Sequence, residues 1–395
     1  MAATTTQPVQ DGIHALPPRE KWTPEARKRR DLYAVVPGAP LLRGEFGYLC
    51  VEEWLKQGFP AEYASKPWAY EPFLCEGSGS HGLGGLGWCE GGYVPGFEVK
   101  ILEDRGDTEV EQDWVGRKVL YFKGRRNGFM PEYIDHPVKD TKTWEEQIKW
   151  RLDPATPSRF DARWEESMVR AKEAAARGEM IVQHLAGSGM YLRAMMGVEA
   201  MLLNLYDQPK LIEACMERWF ELADAVIARH QQHVTLDEVF FAEDICYNHG
   251  PLIGPAMMRS MLMPYYQQLL INVKRRQLDP IRHLYVQIDT DGDCRPLIGF
   301  YEETIGMDAM SPFEVASGCD VVEIGQRYPK LVMKGGIDKR VLAQGREAID
   351  AMLARIIPAM RARGGYYPMC DHCVPAEVPF RDYLYYRKRC AELGG

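Results

Sequence analysis

Asp289, Asp291 and Asp293 alternate around Thr290 and Gly292 at the end of the stretch IRHLYVQIDTDGDC, residues 281–294. Carboxylates that close repel one another, so water, cationic side chains, a metal ion or a shared proton must compensate them. Ile281, Leu284, Val286 and Ile288 lead into them and predict a buried strand that delivers the acids to its own C-terminal end. A turn of helix-capping aspartates before a helix at Arg295–Ile305 is the plainer reading of the same residues. Comparable polar residues close other apolar runs: His184, Glu243 with Asp244, Glu314, Asp338 and His372. Imidazole and carboxylate together can move protons or hold a divalent cation. The catalytic candidates are Glu243, Asp291 and His184.

The segment YYPMCDHCVP adds Cys370, His372 and Cys373. Its CxxC supplies at most half of a structural zinc set, and no second pair exists. Buried thiols flanking a functional His372 are the simpler expectation. Asp289 and His372, with Glu314 or Glu243, would make an open nitrogen–oxygen metal site of catalytic type, best suited to zinc. The competing account has Arg193, Arg295 or a lysine folding in to neutralise the acids. Arg43, Arg193 and Tyr247 are the candidates for substrate contact. The run GSGSHGLGGLG at 77–87 lacks the Lys-Ser/Thr of a phosphate loop and is expected to be a mobile connection. Trp68, Tyr70, Phe73 and Trp88 could floor a pocket, though aromatic residues more often build core.

These residues need elements that bring them together. Strands are expected at Met180–Leu185, Glu238–Ile245, Ile281–Ile288, Met307–Val315, Leu331–Ile337 and Gly365–His372. Helices are expected at Arg163–Gly178, Met190–Tyr206, Leu211–His233, Pro255–Arg276, Arg295–Ile305, Asp320–Tyr328, Arg346–Arg363 and Pro379–Leu393. Strand–helix alternation of this kind demands a parallel sheet. The fold class is therefore α/β, a (β/α)8 TIM-type barrel whose strand ends share one mouth. An open doubly wound sheet is the runner-up, but no GxGxxG turn opens any unit. Period-two segments at 97–122 predict an antiparallel β-meander insertion. Residues 1–40 form a tail and lead-in, with a short helix at Pro24–Tyr33 and disorder at the very start, and residues 41–395 form a single barrel domain.

Composition sets the outer limits. The chain has 395 residues, 46% of them hydrophobic and 26% charged, which is ordinary for a globular protein with a large core. A net charge of −8 without a basic stripe argues against nucleic acid. No apolar run is long enough to span a membrane, and the first residues, MAATTTQPVQDG, do not read as a secretory signal. Ten cysteines, mostly inside apolar elements, fit reduced thiols in the cytoplasm.

Several segments resemble the uroporphyrinogen decarboxylase superfamily, in particular its branch of cobalamin-dependent methyltransferases. They are MMGVEAMLLNLYDQPKLIEAC, EDICYNHGPLIGPAMMRSMLMPYYQQLL, DTDGDCRPLI, SPFEVASGCDVVEIGQRYPKLVMKGGIDKRVL and DHCVPAEVPFRDYLYYRKR, in the family's order. The resemblance implies a (β/α)8 barrel with a deep mouth. The arginine-bearing N-terminal motif of true decarboxylases is absent, which disfavours porphyrinogen decarboxylation. The methyltransferases ligate zinc with a His-x-Cys and a later Cys, and here Gln287, Asp289 and His372 stand at the corresponding places. The implied activity is metal-dependent transfer of a methyl group from a small methylated donor, such as a methoxylated aromatic, to the corrinoid of a separate partner protein. A cofactor-free decarboxylase of a small acid and a non-catalytic ligand-binding barrel are the alternatives.

Overall fold

A computed structural model describes residues 13–124 and 131–395, so the expected disorder at the start of the chain falls largely outside the described residues. Seven parallel strands form one sheet in chain order: β1 (Ser80–Leu86), β2 (Met180–Ala186), β3 (Glu238–Ala242), β4 (Tyr285–Asp289), β5 (Ala309–Ser311), β6 (Val332–Lys334) and β7 (Tyr366–Tyr367). The architecture is α/β and of TIM type, but the strand ladder is continuous over these seven and, among the described residues, is not closed by an eighth strand. Residues 41–50 occupy the remaining gap in irregular conformation. Glu76 N–H donates to the Arg43 carbonyl at 2.8 Å just before β1, and beyond β7 the Leu49 and Val374 main chains meet at 2.9 Å.

Residue parity divides the strand side chains between two buried faces. Ile181, Leu185, Val239, Phe241, Val286, Ile288, Met310 and Met333 join the large core between strands and helices. Their alternates, Met180, Val182, Phe240, Ala242, Ala309, Val332 and Tyr367, form separate small clusters on the inner face. Strands buried on both faces need no polar alternation, which is why they read as apolar runs. One expected strand residue behaves otherwise: Ile281 is 94% exposed, because β4 begins only at Tyr285.

The stretch 80–86, expected as mobile connection, is the first strand. Gly82 packs against His184, and a Cβ there would stand 2.9 Å from the imidazole, so the glycine makes room for the ring. The helices at Arg295–Ile305 and Arg346–Arg363 have the expected limits. The expected helix Met190–Tyr206 is two, Ser188–Met196 and Val198–Asp207, because Gly197 adopts φ 81° between them. That at Pro255–Arg276 also divides, into Pro255–Met261 and Met263–Arg276, where Pro264 lacks the N–H a continuous helix requires. The meander is present as a four-stranded antiparallel sheet, Lys100–Asp104, Thr108–Gln112, Lys118–Phe122 and Glu132–Asp135, with its last strand beyond the expected limit.

The helix Pro24–Tyr33 stands against the N-terminal ends of the strands. Thr23 caps it by accepting from Ala26 N–H. Arg30 pairs with Asp237 at 3.0 Å and Arg29 with the fully buried Glu238 at 3.0 Å. Tyr33 hydroxyl donates to the same Glu238 carboxylate. This end of the fold is therefore stitched shut by charge, and the open end is the one where the strands finish.

Candidate active site

Inward residues fall into tiers fixed by strand register. His184, Phe240, Gln287 and Ala309 share one tier, and Ala186, Ala242, Asp289 and Ser311 the next one up. Small side chains at Ala186 and Ala242 leave space above His184 and Phe240, and Trp88, just beyond β1, fills part of it. Its ring stacks on Phe240 at 4.6 Å and meets His184 edge-on at 5.3 Å. Trp88 is 41% exposed, so part of its ring stays open to solvent. Burial lowers His184 to about 4, so its imidazole is neutral at pH 7.

Asp289 ends β4. Ser311 donates to its Oδ1, and Ser311 in turn accepts from Gln287 Nε2 at 2.9 Å. Gln287 Oε1 accepts from the Lys334 ammonium, which also donates to Tyr33 at 2.7 Å and lies 3.6 Å from Glu238. Hydrogen bonds thus run in one direction from the charged floor to the acid at the mouth. Burial pushes Asp289 up to about 7 against the pull of the Ser311 bond, with the nearby Asp291 and Asp244 adding to the push. Burial likewise brings Lys334 down to about 7, opposed by Glu238. Asp291 is raised to about 6, by burial first, with His372 opposing and Asp244 and Glu314 reinforcing. Its side chain is 39% exposed, so solvent screens part of that repulsion.

The acids at the mouth are compensated mainly by cationic side chains. Arg193 pairs with Asp244, Arg295 with Asp293 at 2.7 Å, and Lys339 lies 3.5 Å from Glu314 and 3.7 Å from Asp371. His372 Nε2 stands 3.6 Å from Asp291, with Phe46 packed on its ring at 5.4 Å. Glu314 also accepts Gly292 N–H at 3.0 Å, tying the turn after β5 to the acidic turn after β4.

Several candidates change role. Glu243 is fully buried and accepts from Ser188 Oγ at 2.8 Å, Gly189 N–H at 2.9 Å and the Tyr266 hydroxyl. It anchors the start of the helix Ser188–Met196 and does not face the mouth, because residue 243 has the outward parity of Phe241. Arg43 lies at the opposite end of the strands, 3.6 Å from Glu76, which itself binds Lys28 at 2.8 Å. It cannot contact a substrate in the mouth. Arg193 is at the mouth but engaged by Asp244. Tyr247 stands half-exposed on a small hairpin at the rim, its carbonyl accepting Asp293 N–H at 2.8 Å. Of the four aromatic candidates Trp68, Tyr70, Phe73 and Trp88, it is Trp88 that reaches the mouth. Phe73 and Tyr70 pack with Trp54, Phe59 and Phe380 elsewhere, and Trp68 is solvent-exposed.

The ligand set expected of Asp289, His372 and Glu314 is not assembled. Among the described residues no three His, Cys, Asp or Glu side chains stand close enough together to hold a metal ion. Each member is held by another partner: Asp289 by Ser311, Glu314 by Gly292 and Lys339, His372 beside Asp291. Zinc therefore does not fit these residues as they are arranged. Sequence reading missed Ser311, Lys334 and Tyr33. Parity could have found the first two, since each lies two residues beyond an inward apolar residue, Ala309 and Val332. Nothing local marks Tyr33, which reaches Glu238 only through the tertiary fold.

No family model matches the chain, and no curated protein matches it in sequence. A methyltransferase from Methanosarcina mazei has a similar structure: TM-score 0.55 and 14% identity over 93% of this chain and 98% of that one. Xylanase B from Clostridium stercorarium aligns at TM-score 0.32 and 11% identity, over 56% of this chain and 75% of its own. That likeness is too distant to bear on either fold or chemistry. The likeness to the methyltransferase is one of fold. No match places the chain in the uroporphyrinogen decarboxylase superfamily. Among the described residues, no helix is long and apolar enough to cross a membrane.

Proposed function

We propose that the chain is a methyltransferase that removes the methyl group of a small methoxylated aromatic, with Asp289 as the acid for the leaving oxygen. The observation that carries this reading is a carboxyl group that keeps its proton near neutral pH beside an open aromatic shelf. Asp289 titrates at about 7, and Trp88 lies on Phe240 one tier away. A donor ring stacks on Trp88, and its ether oxygen faces Asp289. The C–O bond breaks with its electron pair going to oxygen, the methyl carbon passes to the acceptor, and the Asp289 proton completes the phenol. Ser311 already occupies Oδ1, which leaves Oδ2 to carry that proton. Neutral His184 offers a hydrogen bond to the ring substituents without adding charge. The whole-chain fold likeness to a methyltransferase supports the reaction class.

A corrinoid on a partner protein is the acceptor this reading calls for, and it would supply the nucleophile. No step passes through zinc, because Asp289 protonates the oxygen that a metal would otherwise polarise. A cofactor-free decarboxylase is less well served: Arg193, Arg295 and Lys339 are all paired with acids, so a substrate carboxylate finds little free positive charge at the mouth.

The test supplies uncharged methoxylated phenols to the purified chain, with reduced free cobalamin as acceptor, and separately the methoxylated benzoates that a decarboxylase would need. Methylcobalamin and phenol should appear in equal amounts, and Asp289→Asn should abolish both. Trp88→Ala should raise KM more than it lowers kcat. Carbon dioxide release without methyl transfer would establish the carboxy-lyase alternative, and ligand binding without turnover would reduce the chain to a binding barrel.

A further inference from the structure

We propose that Cys294 and Cys319 form a reversible disulfide that clamps the acidic turn after β4 to the turn after β5. The two sulfurs lie 3.8 Å apart, both cysteines are fully buried, and neither is bonded in the reduced chain. Cys294 closes the turn that carries Asp291 and Asp293 and sits at the start of the helix Arg295–Ile305. Cys319 ends the turn that carries Glu314 and directly precedes Asp320, the cap of the helix Val321–Arg327. The turns are already in register: Gly292 N–H donates to Glu314 at 3.0 Å, and Cys319 Sγ donates to the Gly292 carbonyl at 3.7 Å. A disulfide needs its sulfurs at about 2.0 Å, a closure that side-chain rotation and a small shift of one turn can supply.

Access and reactivity differ between the two thiols. Cys319 is covered at rest but borders a cavity of about 190 Å³ shared with Asp320, Gly336 and Asp338, so a small movement of that wall brings a water-sized oxidant to it. The Cys294 thiol donates to Cys319, and this bond favours the Cys319 thiolate over burial, with Arg295 acting in the same direction. The oxidant class is a hydroperoxide. Cys319 thiolate attacks the peroxide oxygen, the O–O bond breaks, and hydroxide leaves and takes up a proton as water. The resulting sulfenic acid is attacked at sulfur by Cys294, which gives up its proton as a second water departs. Two thiols and one hydrogen peroxide thus become one disulfide and two waters. Among the described residues, Cys370 and Cys373 are less suited, since no sulfur contact joins them and both thiols are pushed up by burial.

The reduced full-length chain is treated with hydrogen peroxide and digested without reductant. Mass spectrometry should find one linked peptide pair joining Cys294 to Cys319, lighter by two hydrogens and separated again by dithiothreitol. Cys294→Ser should leave Cys319 as a sulfenic acid that dimedone traps, and Cys319→Ser should leave Cys294 a free thiol. Amide hydrogen exchange at residues 290–294 should slow on oxidation of the wild type. Free thiols at both positions once the exposed Cys89 is oxidised would overturn the proposal, as would pairing of Cys319 with Cys246. A disulfide that leaves exchange of the turn unchanged would overturn the clamp. None of these readouts depends on methyl transfer.

Discussion

Ser311 donates its hydroxyl hydrogen to Asp289, so the last inward side chain of β5 holds the last inward side chain of β4. The two residues are register partners on adjacent strands, so the acid that faces the mouth is fixed by the sheet rather than by a loop.

Removing that bond should shift the acid. Ser311→Ala is expected to move the Asp289 titration above its wild-type midpoint of about 7, because the hydroxyl stabilises the carboxylate. Carbon-13 NMR of labelled aspartate reads it directly, and an unchanged midpoint would contradict the role given to Ser311. Stability carries the same information. With a folded value of about 7 against an ordinary 3.8, the folded chain keeps a proton that the unfolded chain releases. That contribution is full below about pH 4 and is lost as pH rises through 7. Asp289→Asn should therefore gain stability over wild type between pH 4 and 8, by at most a few kcal/mol at about 1.4 kcal/mol per unit.

Glu243→Ala should unfold more easily by about 3 kcal/mol, measured by urea denaturation, because three donors lose their acceptor in a dry site. Any loss of activity should follow the loss of folded protein. A fully folded but inactive variant would return Glu243 to the chemistry.

Lys334→Met tests the charged floor. Lys334 is held at about 7 against an ordinary 10.5, so the folded chain binds its proton less tightly than the unfolded chain does. Wild-type stability accordingly gains from this group as pH rises from 7 to 10.5, and the variant should lack that rise. The variant should also move Asp289 above about 7, since Lys334 helps hold the acid down. A flat difference between the two stability curves would show that Lys334 titrates normally.

Dialysis against a chelator should leave the melting temperature unchanged, and zinc added back should not bind stoichiometrically. The reason is the dispersal of Asp289, His372 and Glu314 among other partners. Tight zinc binding that is lost in His372→Ala would show that the mouth rearranges into a ligand set.

The sequence by itself determined the α/β alternation, because burial on both faces forces continuous apolar runs at β2 through β6 and amphipathic spacing in the helices between them. It also determined that polar residues close those runs, which placed His184, Asp289, Asp291 and His372 at one end of the sheet. What it left open was decided by side-chain parity and by distant partners. Glu243 follows Ala242 as naturally as Asp289 follows Ile288, yet one turns into the helical layer and the other into the mouth. Glycine-rich β1 carries too few side chains to show a strand pattern; Gly82 is explained by the His184 ring beside it and Gly85 by its φ of 93°. The charge balance was likewise a tertiary matter. Lys334 and Glu238 are 96 positions apart, and the helix that brings Arg29 and Tyr33 to them is another 205 or more away. No local pattern shows such contacts, because they form only once the chain has paid the entropy of closing those loops.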